Sequence, residues 1–223
     1  MTAPAPDAPP ALGIARSLSG QAWRWRDEGD GGLTSGADDL VSRILRSRGA
    51  PVDRIADYLN PSMRAFLPDP ALFTDMETAA ARLADAVVAG EPVAVYGDYD
   101  VDGATSAALL IRVLRHLGLD PRAYIPDRLL EGYGPSAEAL VRLKEEGASL
   151  VVTVDCGAQA FEALGAAQEA GLDVIVVDHH QCSPALPPAL ALVNPNRLDE
   201  GDAARGFGHL AAVGVAFLLA VAL

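Results

Sequence analysis

The sequence predicts an α/β fold, a parallel β-sheet with helices on both faces, preceded by a small and mostly helical segment. Between residues 93 and 177, short apolar runs alternate with helical patterns at the spacing typical of parallel strands joined by crossover helices. The apolar runs lack polar alternation, which predicts that both faces of the sheet are buried. We therefore predict a disordered tail over 1–20, a helical segment over 21–73 and an α/β domain over 74–223.

Each element of this fold has its own pattern. Helices are predicted where apolar residues recur at helical spacing and where Gly or Pro follows the last of them. Thr74 and Glu77 also fit a capping box, in which Thr74 begins the helix that leads into the first strand. The predicted helices span 37–48, 51–58, 74–89, 104–117, 136–146 and 161–170. The predicted strands span 93–96, 123–125, 150–154 and 174–177.

Composition restricts the function classes. Half of the 223 residues are hydrophobic, which is enough for a sizeable core. The net charge of −13 comes almost entirely from residues 71–223, which hold nine basic and 21 acidic residues. This charge argues against non-specific nucleic-acid binding by the chain as a whole. It does not exclude a phosphate substrate bridged by metal ions, because the ions reverse the local charge.

The sequence indicates a cytoplasmic protein. Its N-terminus has no basic and apolar signal sequence, and no run of about 20 apolar residues is present to span a membrane. The apolar run 210–223 is shorter and predicts a core helix. Cys156 and Cys182 form no disulfide framework and no CxxC pair, so we interpret them as buried small side chains and not as zinc ligands.

Three carboxylates lie at the turn between the first strand and the following helix. Asp98, Asp100 and Asp102 occupy alternate positions, and no Lys or Arg lies between Arg82 and Arg112 to offset their charge. Two like charges about 4 Å apart cost roughly 4 kcal/mol at an effective dielectric constant near 20. A bound divalent cation removes this cost, and oxygen ligands favour Mg²⁺, Mn²⁺ or Ca²⁺.

Two other interpretations of this turn are weaker. The spacing also fits the first half of an EF-hand loop, but the twelfth position is Leu109 and not Glu, and a strand pattern precedes the turn. A solvated acidic turn without metal is the second alternative. The residues that follow the other strands decide between these interpretations and a metal site.

Polar residues follow two further strands, with Asp155 after one and Asp178-His179-His180 after another. The carboxyl ends of parallel strands share one edge of a sheet, so these residues are expected to converge with the first three carboxylates. Several carboxylates with one or two imidazoles are typical of a two-metal site for phosphoryl chemistry. The imidazole nitrogens shift the preference from Mg²⁺ towards Mn²⁺.

These residues resemble the first three motifs of the DHH phosphoesterase superfamily, and within it they are most similar to the RecJ family of single-strand-specific 5′→3′ DNA exonucleases. The resemblance covers about residues 20–223, and the ordered set of motifs is far more specific than the DHH triplet by itself. Its phrases are Gly97-Asp-Tyr-Asp-Val-Asp-Gly103, Ile125-Pro-Asp-Arg128, Glu131-Gly-Tyr-Gly134, Asp155, Asp178-His179-His180, Val193-Asn-Pro-Asn-Arg197 and Ala212-Val-Gly-Val-Ala-Phe217.

The resemblance implies two Mn²⁺ or Mg²⁺ ions and hydrolysis of single-stranded DNA from a 5′ end to mononucleotides. It also implies a role in DNA repair and recombination, with protein partners in repair complexes. A water bridging the two ions is the implied nucleophile. His180 is expected to face the scissile phosphate, with Asp178 orienting a neighbouring histidine. The implied metal ligands are Asp98, Asp100, Asp102, Asp155 and His179. The expected substrate contacts are Arg128 and Arg197 to phosphates and Tyr133 to a base, against salt bridges and packing as the alternatives.

The resemblance also predicts that this chain is partial. Enzymes of this kind continue well beyond Phe217 with a further motif Asp, a second lobe that closes over the cleft and an OB-type module. We therefore expect an incomplete metal site, little of the DNA-binding surface and no robust processive activity from residues 1–223 alone.

Two other functions are considered. A DHH phosphoesterase for nanoRNA or cyclic dinucleotides is disfavoured by the long N-terminal segment and the Ile125-Pro-Asp-Arg128 phrase. A non-catalytic RecJ-like binding module is expected to lose motif acids, and all of those visible here are intact. Comparing turnover of a dinucleotide with turnover of a 20-mer single strand distinguishes the first alternative from the exonuclease. Replacement of Asp155 by Ala distinguishes the second, because it should abolish metal binding in an enzyme and leave partner binding unchanged in a binding module.

Overall fold

The computed structural model describes residues 10–24 and 37–223, and the chain divides into two compact units, Met1–Leu67 and Pro68–Leu223. Residues 1–9 of the predicted tail lie outside the described residues. In the first unit, Arg54 donates to the Ala65 carbonyl at 2.7 Å and stacks on Phe66, whose ring meets Tyr58 edge-on. Its helices are a 3-10 turn Ala11–Gly13, α1 (Ala37–Ser47), a 3-10 turn Val52–Arg54, α2 (Ile55–Leu59) and α3 (Met63–Phe66).

The second unit contains a five-stranded, all-parallel sheet in the order β2-β1-β3-β4-β5, which confirms the predicted fold class. The four predicted strands are present within one residue of their expected bounds. The fifth strand was not predicted, because it follows a Pro-rich stretch, 184–188, that favours a loop. The strands are β1 (Val93–Gly97), β2 (Arg122–Tyr124), β3 (Leu150–Val154), β4 (Asp173–Val177) and β5 (Ala191–Val193).

Helices cover both faces of the sheet, as the unbroken apolar strands predicted. One face packs on α4, α5 and α10, and the other packs on α7 and α8. The apolar run at the end of the chain is α10, whose buried side chains join the first of these layers, so the predicted core helix is confirmed. The helices are α4 (Met76–Ala89), α5 (Val101–His116), α6 (Arg128–Glu131), α7 (Ala137–Glu145), α8 (Phe161–Glu169), α9 (Asp202–Arg205) and α10 (Ala212–Ala222). Over the described ranges 10–24 and 37–223, none of the helices has the length and apolar character needed to cross a membrane.

The predicted capping box before α4 is wrong. The N-cap is Asp75, in the left-handed region at φ 64°, and it makes no side-chain capping bond. Thr74 instead donates its hydroxyl to Glu200 at 2.6 Å and its backbone N–H to the same carboxylate. Glu200 is 6% exposed, and a buried carboxylate needs such donors more than a helix end needs a cap.

Helix α5 begins at Val101, three residues before the predicted start. Asp100 is its N-cap, and its Oδ1 accepts from the N–H groups of Asp102 and Gly103 at 2.8 and 3.0 Å. Gly103 lies against the end of β1, where a Cβ atom would come within 2.4 Å of the Asp98 carbonyl oxygen. The acidic turn is therefore wound tightly onto the strand end, with Asp102 inside the first turn of the helix.

Candidate metal centre

One polar residue follows each of four strands at the same level of the sheet. The last residues of β1, β3, β4 and β5 are aligned with one another in the strand register. The next residues continue this row, because each of the three Asp donates its N–H to the carbonyl of the last residue of the neighbouring strand, at 3.0 to 3.2 Å. All four residues in the row are at most 3% exposed. They are Asp98, Asp155, Asp178 and Asn194.

Asp155 is the most perturbed group in this row. Its backbone is left-handed, at φ 63°, a conformation that costs a non-glycine residue on the order of 1 kcal/mol or more. Burial, assisted by the charges of Asp102 and Asp100, raises the pKa of Asp155 to about 8. Its Oδ1 atom is buried and has no hydrogen-bond partner. Such an atom is expensive to bury unless it binds a cation.

Asp98 and Asp100 complete a carboxylate group around Asp155. Each of the three offers an oxygen within 4.8 Å of the others. Asp98 Oδ1 is also buried without a partner, and burial followed by the charge of Asp100 raises the pKa of Asp98. The pKa of Asp100 is lowered instead, chiefly by the hydrogen bond from the Gly103 amide, so Asp100 is the ionised member.

His179 presents one ring nitrogen to these carboxylates. Its Nδ1 lies 3.1 Å from the carbonyl oxygen of Leu210, which can only accept, so Nδ1 carries the proton. In the neutral imidazole Nε2 therefore keeps its lone pair, and Nε2 lies 3.2 Å from Asp155 Oδ1. When Asp155 is ionised both atoms are acceptors, and when it is protonated its carboxyl can donate to Nε2. A metal-binding histidine shows the same arrangement of a fixed Nδ1–H and a free Nε2.

His180 is held by Asp178. Its Nδ1 lies 2.7 Å from Asp178 Oδ1, which also accepts the backbone N–H groups of His179 and His180, while Oδ2 accepts from Ala158. Burial alone would raise the pKa of Asp178, but the hydrogen bonds from His180 and Ala158 lower it overall. The hydrogen bond to Asp178 in turn raises the pKa of His180. Asp178 therefore stays ionised and fixes the orientation of the His180 ring.

Asp102 lies at the edge of this cluster. Its two oxygens accept the N–H groups of Ala212 and Val213, at 2.7 and 2.9 Å, and so cap the start of α10. Asp102 Oδ2 is 3.6 Å from His179 Nε2. Among the described residues, two groups could hold a metal ion, Asp98 with Asp100 and Asp155, and Asp155 with His179 and His180. The structure thus brings the five predicted ligands to one edge of the sheet, with the Asp102 oxygens also accepting from the start of α10.

Two asparagines in the cluster were not singled out from the sequence as site residues. Asn194 donates to the His180 carbonyl at 2.8 Å, and Asn196 donates to the His179 carbonyl at 2.6 Å. Asn194 Oδ1 accepts the Asn196 N–H at 2.8 Å, so the two amides form one support beneath both histidines. The signal for them was the Asn-Pro-Asn sequence directly after a short apolar run, at a strand end like the others.

The three predicted substrate contacts have different surroundings. Arg128 stacks over the Tyr99 ring at 4.5 Å, and its charge opposes the raised pKa of Asp98. Tyr133 is 58% exposed and meets the His180 ring edge-on, with centroids 6.3 Å apart.

Arg197 is separate from the cluster. Its side chain is 6% exposed, and its guanidinium donates to Asp75, to Asp199 and to the Leu192 carbonyl at 2.6 to 3.0 Å. Arg197 therefore forms a structural ion pair, and this geometry does not support the phosphate-clamp role predicted for it. Its place in the fold corresponds to the salt-bridge alternative, although the pair is buried and not at the surface.

The two cysteines are free and buried, at 1% and 8% exposure. Burial raises the pKa of the Cys182 thiol to about 11 and that of Cys156 well above its ordinary value, so neither is a thiolate at neutral pH. Within the part of the chain that the structure describes, neither belongs to a group able to bind metal. They are buried small side chains, as predicted.

Comparisons with known proteins agree with this geometry. The family model described as "DHH family, N-terminal domain" matches residues 92–222. The single-stranded-DNA-specific exonuclease RecJ of Bacillus subtilis (strain 168) is 41% identical over 184 residues, 82% of this chain and 23% of that protein. RecJ of Escherichia coli (strain K12) is 40% identical over 185 residues, 82% of this chain and 31% of that protein. The chain thus spans less than a third of the length of these relatives.

Solved structures show the same similarity. A crystal structure of exonuclease RecJ bound to manganese is 40% identical, with a TM-score of 0.60, and covers 68% of this chain and 37% of that one. RecJ from Thermus thermophilus in complex with Mn²⁺ is 34% identical, with a TM-score of 0.62, and covers 82% of this chain and 24% of that one. From its fold, its aspartate and histidine cluster and these matches, the chain belongs to the DHH family.

Proposed function

We propose that this chain carries the metal centre of a phosphodiesterase that hydrolyses single-stranded DNA from its 5′ end, releasing mononucleotides. The observation that carries this proposal is the pair of buried, unpartnered oxygens, Asp98 Oδ1 and Asp155 Oδ1, which lie in one cluster with a histidine Nε2. The names of the RecJ relatives support the substrate class. We place the activity in the cytoplasm, in DNA repair and recombination, with partners in repair complexes.

The donor set fits divalent metal ions. Carboxylate oxygens favour Mg²⁺ and Mn²⁺, and the imidazole nitrogens favour Mn²⁺ of the two. Asp98, Asp100 and Asp155 would hold one ion, and Asp155 with His179 would hold a second, so that Asp155 is shared. The elevated pKa of Asp155 supports this assignment, because a cation removes the cost of ionising a buried carboxylate. Ions held here would lower the pKa of a bound water and polarise a phosphoryl oxygen.

The remaining groups of the cluster position the reaction. Asp178 accepts from Nδ1 of His180 and leaves Nε2 of that ring as the atom able to hold or release a proton beside the phosphate. Arg128 lies close enough to Asp98 to influence its pKa and is exposed, so its guanidinium is available to a phosphate at the same edge. Tyr133 is the exposed ring nearest to His180 among the contacts described and would meet a base.

The acidic charge of the α/β unit is compatible with a DNA substrate only if metal ions are bound. Residues 71–223 carry a net charge of −12, which repels a phosphate backbone. Two divalent ions reverse this sign at the cluster itself. We therefore propose that binding of DNA to this chain depends strictly on the metal, with a steep dependence on metal concentration.

The test is the release of nucleotides from a 5′-phosphorylated 20-mer single strand in Mn²⁺, with a dinucleotide as the competing small substrate. We expect slow, non-processive release of mononucleotides from the 5′ end of the 20-mer, and none after chelation or in Asp155→Asn. Equal or faster turnover of the dinucleotide would instead assign the chain to small substrates. Manganese binding without any hydrolysis would show that the metal centre needs residues that this chain lacks.

A further inference from the structure

A cavity of about 300 Å³ opens beside the metal cluster, on the side of His180. We call it the base pocket. Its lining includes Tyr133, Gly134, Gly157, Gln159, Asp178 and His180. Because Asp178 and His180 belong to both, the pocket and the metal cluster share a wall. A ligand held in the pocket is therefore adjacent to whatever the cluster binds.

The walls of the base pocket are built rigidly from two glycine turns. Tyr96, fully buried in β1, donates its hydroxyl to the Gly134 carbonyl at 2.9 Å and so fixes the first turn. Gly157 forms the second turn at φ 112°, where a Cβ atom would come within 2.8 Å of Thr153 Oγ1. Both turns thus expose backbone atoms to the cavity. A side chain at Gly157 would distort the second turn.

The lining suits a planar heterocycle. Tyr133 presents an exposed aromatic ring, and aromatic rings stack on any nucleobase. The Gln159 amide is held by the Gln181 carbonyl at 2.9 Å and by the Ser183 hydroxyl at 2.8 Å. This leaves one N–H donor and one lone pair on the same amide, a combination that can pair with an edge of each of the four bases. The only charged groups in the lining, Asp178 and His180, bind each other, so the pocket offers no separate site for a phosphate.

We propose that the base pocket receives the nucleobase of the nucleotide whose phosphate lies at the metal cluster. This inference rests on the proposed function and deepens it by naming the part of the substrate that the cluster does not bind. A volume of about 300 Å³ is at the lower end of ligand pockets, enough for one nucleoside and too small for a stacked base pair. The pocket therefore selects an unpaired nucleotide without selecting its sequence.

The experiment compares dTMP with deoxyribose 5-phosphate, which carries the same phosphate without a base, by calorimetric titration of the chain in Mn²⁺. We expect dTMP to bind about 10-fold tighter, in line with the contribution of one stacked base. Tyr133→Ala should abolish this preference and leave the affinity for deoxyribose 5-phosphate unchanged. Tyr133→Phe should retain it, because the ring remains. Val88→Ala, at an exposed position on α4, is the control that should change neither affinity.

Failure of this inference is distinguishable from failure of the proposed function. If both ligands bind in Mn²⁺ with equal affinity, or if Tyr133→Ala keeps the preference for dTMP, the base pocket is refuted while the metal centre stands. If Mn²⁺ itself does not bind in a titration without nucleotide, the metal centre is refuted and the base pocket with it. Substituting dAMP, dCMP and dGMP should give affinities within a few-fold of one another, and a preference on the order of 100-fold for one base would contradict the absence of sequence selection.

Discussion

The Nε2 atom of His179 lies 3.2 Å from the buried Oδ1 atom of Asp155, although that oxygen forms no hydrogen bond. The Leu210 carbonyl accepts from Nδ1 of the neutral imidazole, so Nε2 is an acceptor, and it faces a second acceptor whenever Asp155 is ionised. In water this arrangement would separate. In the folded chain it is held by β3 and β4 on neighbouring positions of the sheet. A cation between them would displace the proton of Asp155 and could bind both atoms.

Asp155→Asn should abolish manganese binding. The amide keeps the shape of the side chain but removes the charge that both groups of ligands share. We expect the affinity for Mn²⁺ to fall by about 100-fold or more, measured by calorimetry, and the metal-free protein to be as stable as the parent or more stable, because a costly buried carboxyl is gone. Asp85→Asn, at an exposed position on α4, is the matched control. Tight manganese binding by the Asp155 variant would contradict the assignment.

Manganese affinity should rise with pH. Without metal the pKa of Asp155 is about 8, against an ordinary value near 4, so the folded chain keeps a proton that the unfolded chain has lost. The metal-free protein therefore loses stability as pH rises from about 4 to 8 and changes little above that. A metal ion must displace this proton below pH 8, so its affinity should increase by up to about tenfold per pH unit between pH 6 and 8.

The measurement for this pH dependence is the melting temperature in Mn²⁺ and in chelator at each pH. The stabilisation by metal should be larger at pH 8 than at pH 6. If Mn²⁺ raised the melting temperature by the same amount at pH 6 and at pH 8, no proton would be released when the metal binds.

Gly103→Ala should damage both the fold and the metal centre. The added Cβ would meet the backbone of Asp98 within 2.4 to 2.7 Å, and backbone on a central strand cannot move aside cheaply. We expect a loss of about 2–4 kcal/mol in the free energy of unfolding, measured with urea, together with weaker manganese binding. Gly165→Ala in α8 is the control, since nothing lies within 4 Å of its Cβ position. That variant should be about 0.5–1 kcal/mol more stable because alanine favours the helix.

Asn196→Ala should weaken metal binding through the histidine loop. It removes the donor to the His179 carbonyl and to the Gly208 carbonyl, at 2.6 and 3.1 Å. Supports of metal ligands typically contribute roughly 10- to 100-fold in affinity, and we expect a loss in that range for Mn²⁺. The electron paramagnetic resonance spectrum of bound Mn²⁺ should broaden or shift, which a purely global loss of stability would not produce. An unchanged spectrum and affinity would assign Asn196 to the fold alone.

Arg197→Ala distinguishes a structural ion pair from a phosphate contact. Breaking a fully buried pair costs about 3–5 kcal/mol, and we expect about 2–3 kcal/mol here because Asp75 and Asp199 retain contact with solvent. The affinity of the folded variant for a single-stranded 20-mer in Mn²⁺ should be unchanged. Arg128→Ala provides the comparison and should weaken that affinity without lowering stability. A stable Arg197 variant that binds DNA poorly would restore the phosphate role.

Local sequence patterns were sufficient for most of the second unit. The strands before Asp98, Asp155 and Asp178 are continuous apolar runs, and parallel strands with crossover helices bring their carboxyl ends to one edge. The meeting of these acids with His179 could therefore be predicted without coordinates. Strand β5 escaped prediction because it follows a Pro-rich stretch, and helices α6 and α9 escaped because four residues show no helical period.

Hydrogen-bond partners distant in sequence could not be predicted. Thr74 binds Glu200 across 126 residues, Asp102 caps α10 across 110 residues, and Arg197 binds Asp75 across 122 residues. For Thr74 a local pattern predicted a helix cap. For Asp102 and Arg197 the family resemblance implied a metal ligand and a phosphate contact, which stay predictions. These long-range contacts form because a buried donor or acceptor must find a partner once the layers pack.

By itself, the sequence of this protein determined which chemical groups stand at the strand ends, since apolar periodicity places them there whatever the rest of the chain does. The tertiary structure decided which of those groups remain free to bind a ligand. Asp98 and Asp155 keep unpartnered oxygens, while the Asp102 oxygens accept from α10 and Arg197 pairs with Asp75. The physical reason is that the hydrogen bonds of a buried polar group depend on every neighbour within about 3 Å, and those neighbours are set only when the helices close over the sheet.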